Sequence, residues 1–139
     1  MYQHMILAAD GSDNSLRAAA ETVKIAAIAP KAVIEIVFAA DPSRVKDEVL
    51  HSHTHDEIEY NRQQKLQPVA QVLTEANLQP QVTIINGDPG PAIVQYAQKQ
   101  HADLIIIVTR GLNALQELVL GSVSHKVVKH AHCPVLIVK

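Results

Sequence analysis

A chain of 139 residues, 47% hydrophobic, has the bulk for one well-filled core and hardly for two, so a single domain over 1–139 is expected. Its formal charge of -2, with 12 Lys and Arg scattered against 14 Asp and Glu, leaves no basic footprint for nucleic acid, and 3% aromatics supply no platform for stacking bases. One cysteine, Cys133, excludes an internal disulfide and fits a reducing cytoplasm, while apolar runs far shorter than a membrane span and an N-terminus without a signal-like start predict a soluble, unexported protein.

In chain order, "HMILAA" at 4–9 is a short apolar run that reads as a strand. Ser12 then stands where a helix N-cap would, and Leu16, Ala19, Ala20, Val23 and Ala27 recur at helical spacing. "AVIEIVFAA" at 32–40 is the second strand. Asp41 to His55 forms a polar connection ending in "HSHTH". His51, His53 and His55 alternate there and could hold a transition metal on a rigid extended frame, but the segment reads as a solvated linker. Leu66, Val69, Leu73 and Ala76 form the stripe of a second helix. Pro68 inside that stripe would remove a backbone bond at about 3 kcal/mol, which predicts a kink or a helix that begins near it.

"VTII" at 82–85 is the third strand, "GDPGP" turns out of it, and Pro91 suits the first turn of a third helix carrying Ile93, Val94 and Ala97. "LIIIV" at 104–108 is apolar without alternation, as expected of a central strand covered on both faces. Val123, Val127, Val128 and Ala131 mark a fourth helix, whose C-terminal dipole His130 and His132 can complement. Cys133 reads as a small packed side chain ahead of the last strand, "VLIV" at 135–138. Short strands alternating with longer helices predict an α/β fold with a parallel sheet and crossover helices.

Ligands of such sheets sit beyond the carboxyl ends of the strands, where strand order reverses. At two of those ends, Ala8-Ala9-Asp10 and Ala39-Ala40-Asp41, two small residues precede an acid, which leaves room for a flat ring and supplies carboxylates to accept from it. Adenosine would fit such a wall. After the fourth strand, Gly111 can expose its N–H closely, and nine residues later Gly121-Ser122 opens a helix whose N-terminus favours an anion. On chemistry alone the alternative stands beside this: Gly111 merely turns the chain and Ser122 merely caps the helix.

The stretches "MILAADGSDNS", "GDPGPAIVQYA", "ADLIIIVTRGL" and "LGSVSHKVVKHAHCPVLIV" resemble the universal stress protein family over essentially the whole chain. The resemblance implies an open, twisted, Rossmann-like sheet of five parallel strands in the order 3-2-1-4-5, of the adenine nucleotide alpha hydrolase type. It also implies a homodimer formed through the last strand, and in one branch an ATP site patterned Gly-x-x-Gly, nine residues, Gly-Ser/Thr; Asp10 could help hold a metal such as Mg on the phosphates. Here the first glycine is Val108. By the same resemblance Asp10, with Ala8 and Ala9 before it, lies near adenosine, and the backbone of Ala39 reads the adenine edge. Gly111, Gly121, Ser122 and the backbone of Val123 form the phosphate cradle, with Thr109 and Arg110 in the loop and Ser124 one turn into the helix. Independently, an apolar terminal edge strand needs covering, and pairing with a second copy would cover it.

Two readings follow. In one, the chain is a homodimeric regulator of the stress response that takes ATP as a conformational signal, with slow hydrolysis or phosphotransfer at most. In the other, Val108 closes the site and the dimer is a nucleotide-free interaction module. The choice turns on whether position 108 requires φ > 0 or only clearance.

Overall fold

The computed structural model describes residues 2–41, 55–109 and 121–139. The elements run β1 (His4–Ala8), α1 (Asp13–Ile28), β2 (Val33–Ala40), α2 (His55–Glu75), β3 (Gln81–Asn86), α3 (Pro89–Lys99), β4 (Leu104–Val108), α4 (Ser122–His130) and β5 (Val135–Val138). The strands form one sheet in the order β3-β2-β1-β4-β5, every pairing parallel, which is the topology expected from the sequence. β1 and β4 are neighbours across the point where the chain switches from building one side of the sheet to building the other.

Each face of the sheet carries its own apolar layer. Met5, Leu7, Ile34, Ile36 and Ile106 face α1 and α2, whose Ala18, Ala19, Leu66, Val69 and Leu73 complete that core. Ile6, Val37, Ile105 and Ile107 face α3 and α4, which contribute Ile93, Val94, Ala97 and Val127. Continuous burial of Leu104–Ile107 is what removes alternation from "LIIIV": both pleats of β4 are covered. Cys133 packs half-buried against the second layer, and burial, with Asp103 nearby, pushes its thiol above the ordinary range.

Several local expectations need correction. On α1 the buried stripe is Ser15, Ala18, Ala19, Thr22 and Ala26, while Ala20 and Ala27 are exposed. Alanines around the helix leave the hydrophobic pattern indifferent to a rotation of one residue. The two polar members of the true stripe are satisfied locally, Thr22 by donating to the Ala18 carbonyl at 2.8 Å and Ser15 by Asp10. The second helix does not begin near Pro68; it starts at His55 and runs through it. Pro68 and Gln64, whose carbonyl loses its donor, are both exposed, so water can serve that carbonyl. Ala76 lies just past the end of α2 rather than in its stripe, and Ala131 just past α4; Val128 is 45% exposed. His51 and His53 lie outside the described residues.

α3 and α4 approach closely because Gly90 has no side chain: a Cβ there would come within 2.8 Å of the Lys126 Cβ. Lys126 Nζ also reaches Asp88 Oδ2 at 3.3 Å.

The amino end of the sheet holds a polar cluster that the sequence did not advertise. Glu35, near the start of β2 and 4% exposed, accepts hydrogen bonds from His4 Nε2 at 2.9 Å, from Thr83 Oγ1 at 2.5 Å and from the Tyr96 hydroxyl. Burial pushes its pKa up, but the bonds from Thr83, Tyr96 and His4 more than offset this and hold it below the ordinary glutamate value. Tyr96 is raised, by burial and by Glu35 beside it. Next to the cluster, the Asp103 carboxylate accepts from the backbone N–H groups of Gln3 at 2.7 Å and His4 at 3.0 Å, tying the start of β1 to the turn before β4.

Candidate functional site

The carboxyl ends of β1, β2 and β4 open into a cleft of about 250 Å³. Its floor is small by sequence: Ala8 and Ala9 end β1, and Ala39 and Ala40 end β2. Ile107, Val108 and Thr109 bound it at the end of β4, and Gly121, Val123 and Ser124 bring in the N-terminus of α4.

Asp10 is built into the turn between β1 and α1. Its Oδ1 accepts from the Ser12 N–H at 2.9 Å and the Ser15 hydroxyl at 3.0 Å, while its own N–H donates to Ser15 Oγ at 3.2 Å. Partial burial raises its pKa, but the bonds from Ser12 and Ser15 prevail and hold it below the ordinary aspartate value, so it stays ionised at neutral pH. Gly11 follows with φ +81°, a conformation that a side chain would strain. Ser12 takes the N-cap position expected of it, yet its side chain makes no capping bond, and its buried hydroxyl has no partner among the described residues.

At α4, Gly121 is the N-cap in an extended conformation and gives no side-chain bond to the helix. Ser122 is the first helical residue and is exposed, so it does not cap the helix, as the alternative reading of this stretch had it. The hydroxyl of the buried Ser124 points its hydrogen bond back to the Gly121 carbonyl at 3.0 Å, fixing the first turn. The first N–H groups of α4 have no intrahelical acceptor by helix geometry, and the helix dipole adds partial positive charge at this cleft wall.

Val108 closes β4 in register with Val138. Among described non-glycine residues only Asn77 and His101 have positive φ, so Val108 sits in ordinary strand backbone. Its side chain lines the cleft and also packs against the core layer beneath α1. The chain therefore holds valine at position 108 without a glycine conformation.

The cleft brings together nine of the residues singled out from the sequence: Ala8, Ala9, Asp10, Ala39, Val108, Thr109, Gly121, Val123 and Ser124. Ser122 stands beside it without lining it, and Arg110 and Gly111 lie outside the described residues. Sequence reasoning missed Asn14 and Lys65 on the α1–α2 side and Pro89 and Ile93 on the α3 side. The "GDPGP" turn was a usable signal for Pro89, since it follows a strand end; nothing in the polar sequence around Lys65 marked it.

The family model of the universal stress proteins matches residues 1–139. A universal stress protein of Thermus aquaticus is 38% identical over 141 residues, covering 100% of both chains. A crystal structure of a universal stress protein in complex with cAMP is similar in fold at a TM-score of 0.71 and 28% identity, covering 99% of this chain and 97% of that one. The universal stress protein from Archaeoglobus fulgidus in complex with dAMP shares the fold at a TM-score of 0.75 and 20% identity, covering 99% and 98%. A parallel sheet in the order 3-2-1-4-5, a small-residue cleft at its switch point and a match along the whole chain lead to one assignment: this chain belongs to the universal stress protein family.

Proposed function

We propose that the cleft binds an adenine nucleotide, ATP carrying Mg, and that the chain is a homodimeric regulator in which the ligand sets conformation or partner choice. The observation that carries this reading is the meeting, at one switch point, of a flat wall of alanines with the uncapped N-terminus of α4. The first suits a purine ring and the second suits phosphate. The related structures holding cAMP and dAMP support an adenine ligand. Among the described residues no three His, Cys, Asp or Glu side chains gather into a metal site, so Mg would arrive on the phosphates, with the ionised Asp10 nearby.

The dimer would form through β5, an edge strand whose Val135, Leu136 and Ile137 are only partly buried. The lone cysteine favours a reducing cytoplasm, and no helix among the described residues is long and apolar enough to cross a membrane.

A second reading has one observation in its favour: Val108 lines the cleft where the ATP-binding pattern has glycine. Isothermal titration of nucleotide-stripped protein with Mg-ATP, beside Val108→Gly, separates the two. Because Val108 has strand backbone and a side chain shared with the core, we expect micromolar binding by the native chain and a gain of less than about tenfold, or 1.4 kcal/mol, in the variant. Binding by the variant alone would leave the nucleotide-free interaction module in its place.

A further inference from the structure

The Asp10 carboxylate lines the cleft, and a phosphorylated ligand would bring further negative charge to it. Among the described lining residues the one cation is Lys65, supplied by α2. Its ammonium makes no hydrogen bond or ion pair with any described residue, unlike Lys24, bound to Glu21, and Lys126, bound to Asp88.

The placement of Lys65 is built rather than incidental. Gly11 follows the cleft acid Asp10, and a Cβ on it would come 3.0 Å from the Lys65 Cβ and 3.3 Å from the Lys65 carbonyl oxygen. The absent side chain and the positive φ of Gly11 thus let the main chain of α2 close against the β1–α1 turn. Leu66, next in sequence, is 1% exposed, and Val69 and Leu73 continue the buried face, so the helix is locked in rotation with Lys65 at the rim. α2 packs on one face of the sheet and α4 on the other. Lys65 and the α4 N-terminus therefore bring positive charge to the cleft from opposite walls.

We propose that Lys65 is the phosphate-selecting cation of this cleft, the residue that makes it prefer adenine nucleotides over the nucleoside. This rests on the nucleotide-binding reading above and assigns part of its specificity to a side chain outside the glycine pattern. A flexible ammonium at the rim can follow a phosphate group without holding the purine, so its contribution grows with ligand charge and shrinks with salt.

The test is titration of nucleotide-stripped native protein, Lys65→Gln and Lys65→Arg with ATP, ADP, AMP and adenosine, at low and high salt. Lys65→Gln is expected to weaken ATP and ADP roughly tenfold and adenosine by less than about twofold, with Lys65→Arg restoring most of the loss. The salt dependence of ATP binding should flatten in Lys65→Gln. Since Lys65 is exposed, the variants should unfold at the native temperature, and that measurement guards against a folding defect. No loss, or an equal loss for all four ligands, overturns the role of Lys65 while leaving nucleotide binding in place. Native protein that binds none of the four overturns the nucleotide reading itself.

Discussion

The two ends of the sheet use polar groups in opposite ways. At the amino end Glu35 is buried and has three side-chain donors, from β1, β3 and α3, while Asp103 takes two backbone N–H groups. At the carboxyl end Asp10 is exposed, the Ser12 hydroxyl is buried without a described partner, and α4 starts with no capping side chain. Both ends are polar openings of the same parallel sheet, so polarity alone does not mark a binding site. What distinguishes them is satisfaction: a closed network joins elements together, whereas donors left over can be taken up by a ligand.

The largest effect should come from breaking the closed end. Glu35→Ala deprives the His4 ring N–H and the Thr83 and Tyr96 hydroxyls, all part-buried, of their acceptor, and should lower unfolding free energy by about 2 kcal/mol in urea titrations. A loss below about 1 kcal/mol would show that water serves those groups and that the ends do not differ in this way.

A smaller effect is expected from acid. The pKa of Glu35 is lower in the folded protein than its ordinary value of 4.5, so its stabilisation is complete above that value and disappears as pH falls through the folded one. Asp10 shares that direction. Stability should therefore be level near neutrality and fall below pH 4.5, with a shallower fall in Glu35→Gln; identical acid limbs in the two proteins would remove Glu35 from the account.

The smallest effect belongs to the open end. Ser12→Ala removes a hydroxyl that bonds to nothing described, and should shift ligand-free stability by no more than about 0.5 kcal/mol. Its effect on nucleotide affinity would show whether that hydroxyl is taken up on binding.

Legibility in the sequence follows the range of the forces involved. Runs such as "LIIIV" and "VLIV" matched β4 and β5 to the residue, because a short unbroken run of aliphatic residues leaves so strong a composition, most of all in β4, which is covered on both faces. The Gly-Ser start of α4 and the small-small-acid strand ends were visible for the same local reason, and they placed most of the cleft. The stripe of α1 was misread by about one residue because its alanines favour no single face, and only docking on Met5, Leu7 and Ile106 selected Ala18 and Ala26.

The partners of Glu35 lie 31, 48 and 61 residues away, and no local pattern can join them. Lys65 reaches the cleft only because a glycine in another element lets its helix close in. Val108 raised its question in sequence, but the strand pairing with Val138 supplied the backbone that answers it. The sequence by itself determined the alternation of elements, the parallel sheet and the small residues at the strand ends that line the cleft, since these depend on hydrophobic period and turn chemistry within a few residues. Tertiary structure alone decided which helix face is buried, which charge is satisfied and which is left over, because those depend on what distant segments bring within a few ångströms.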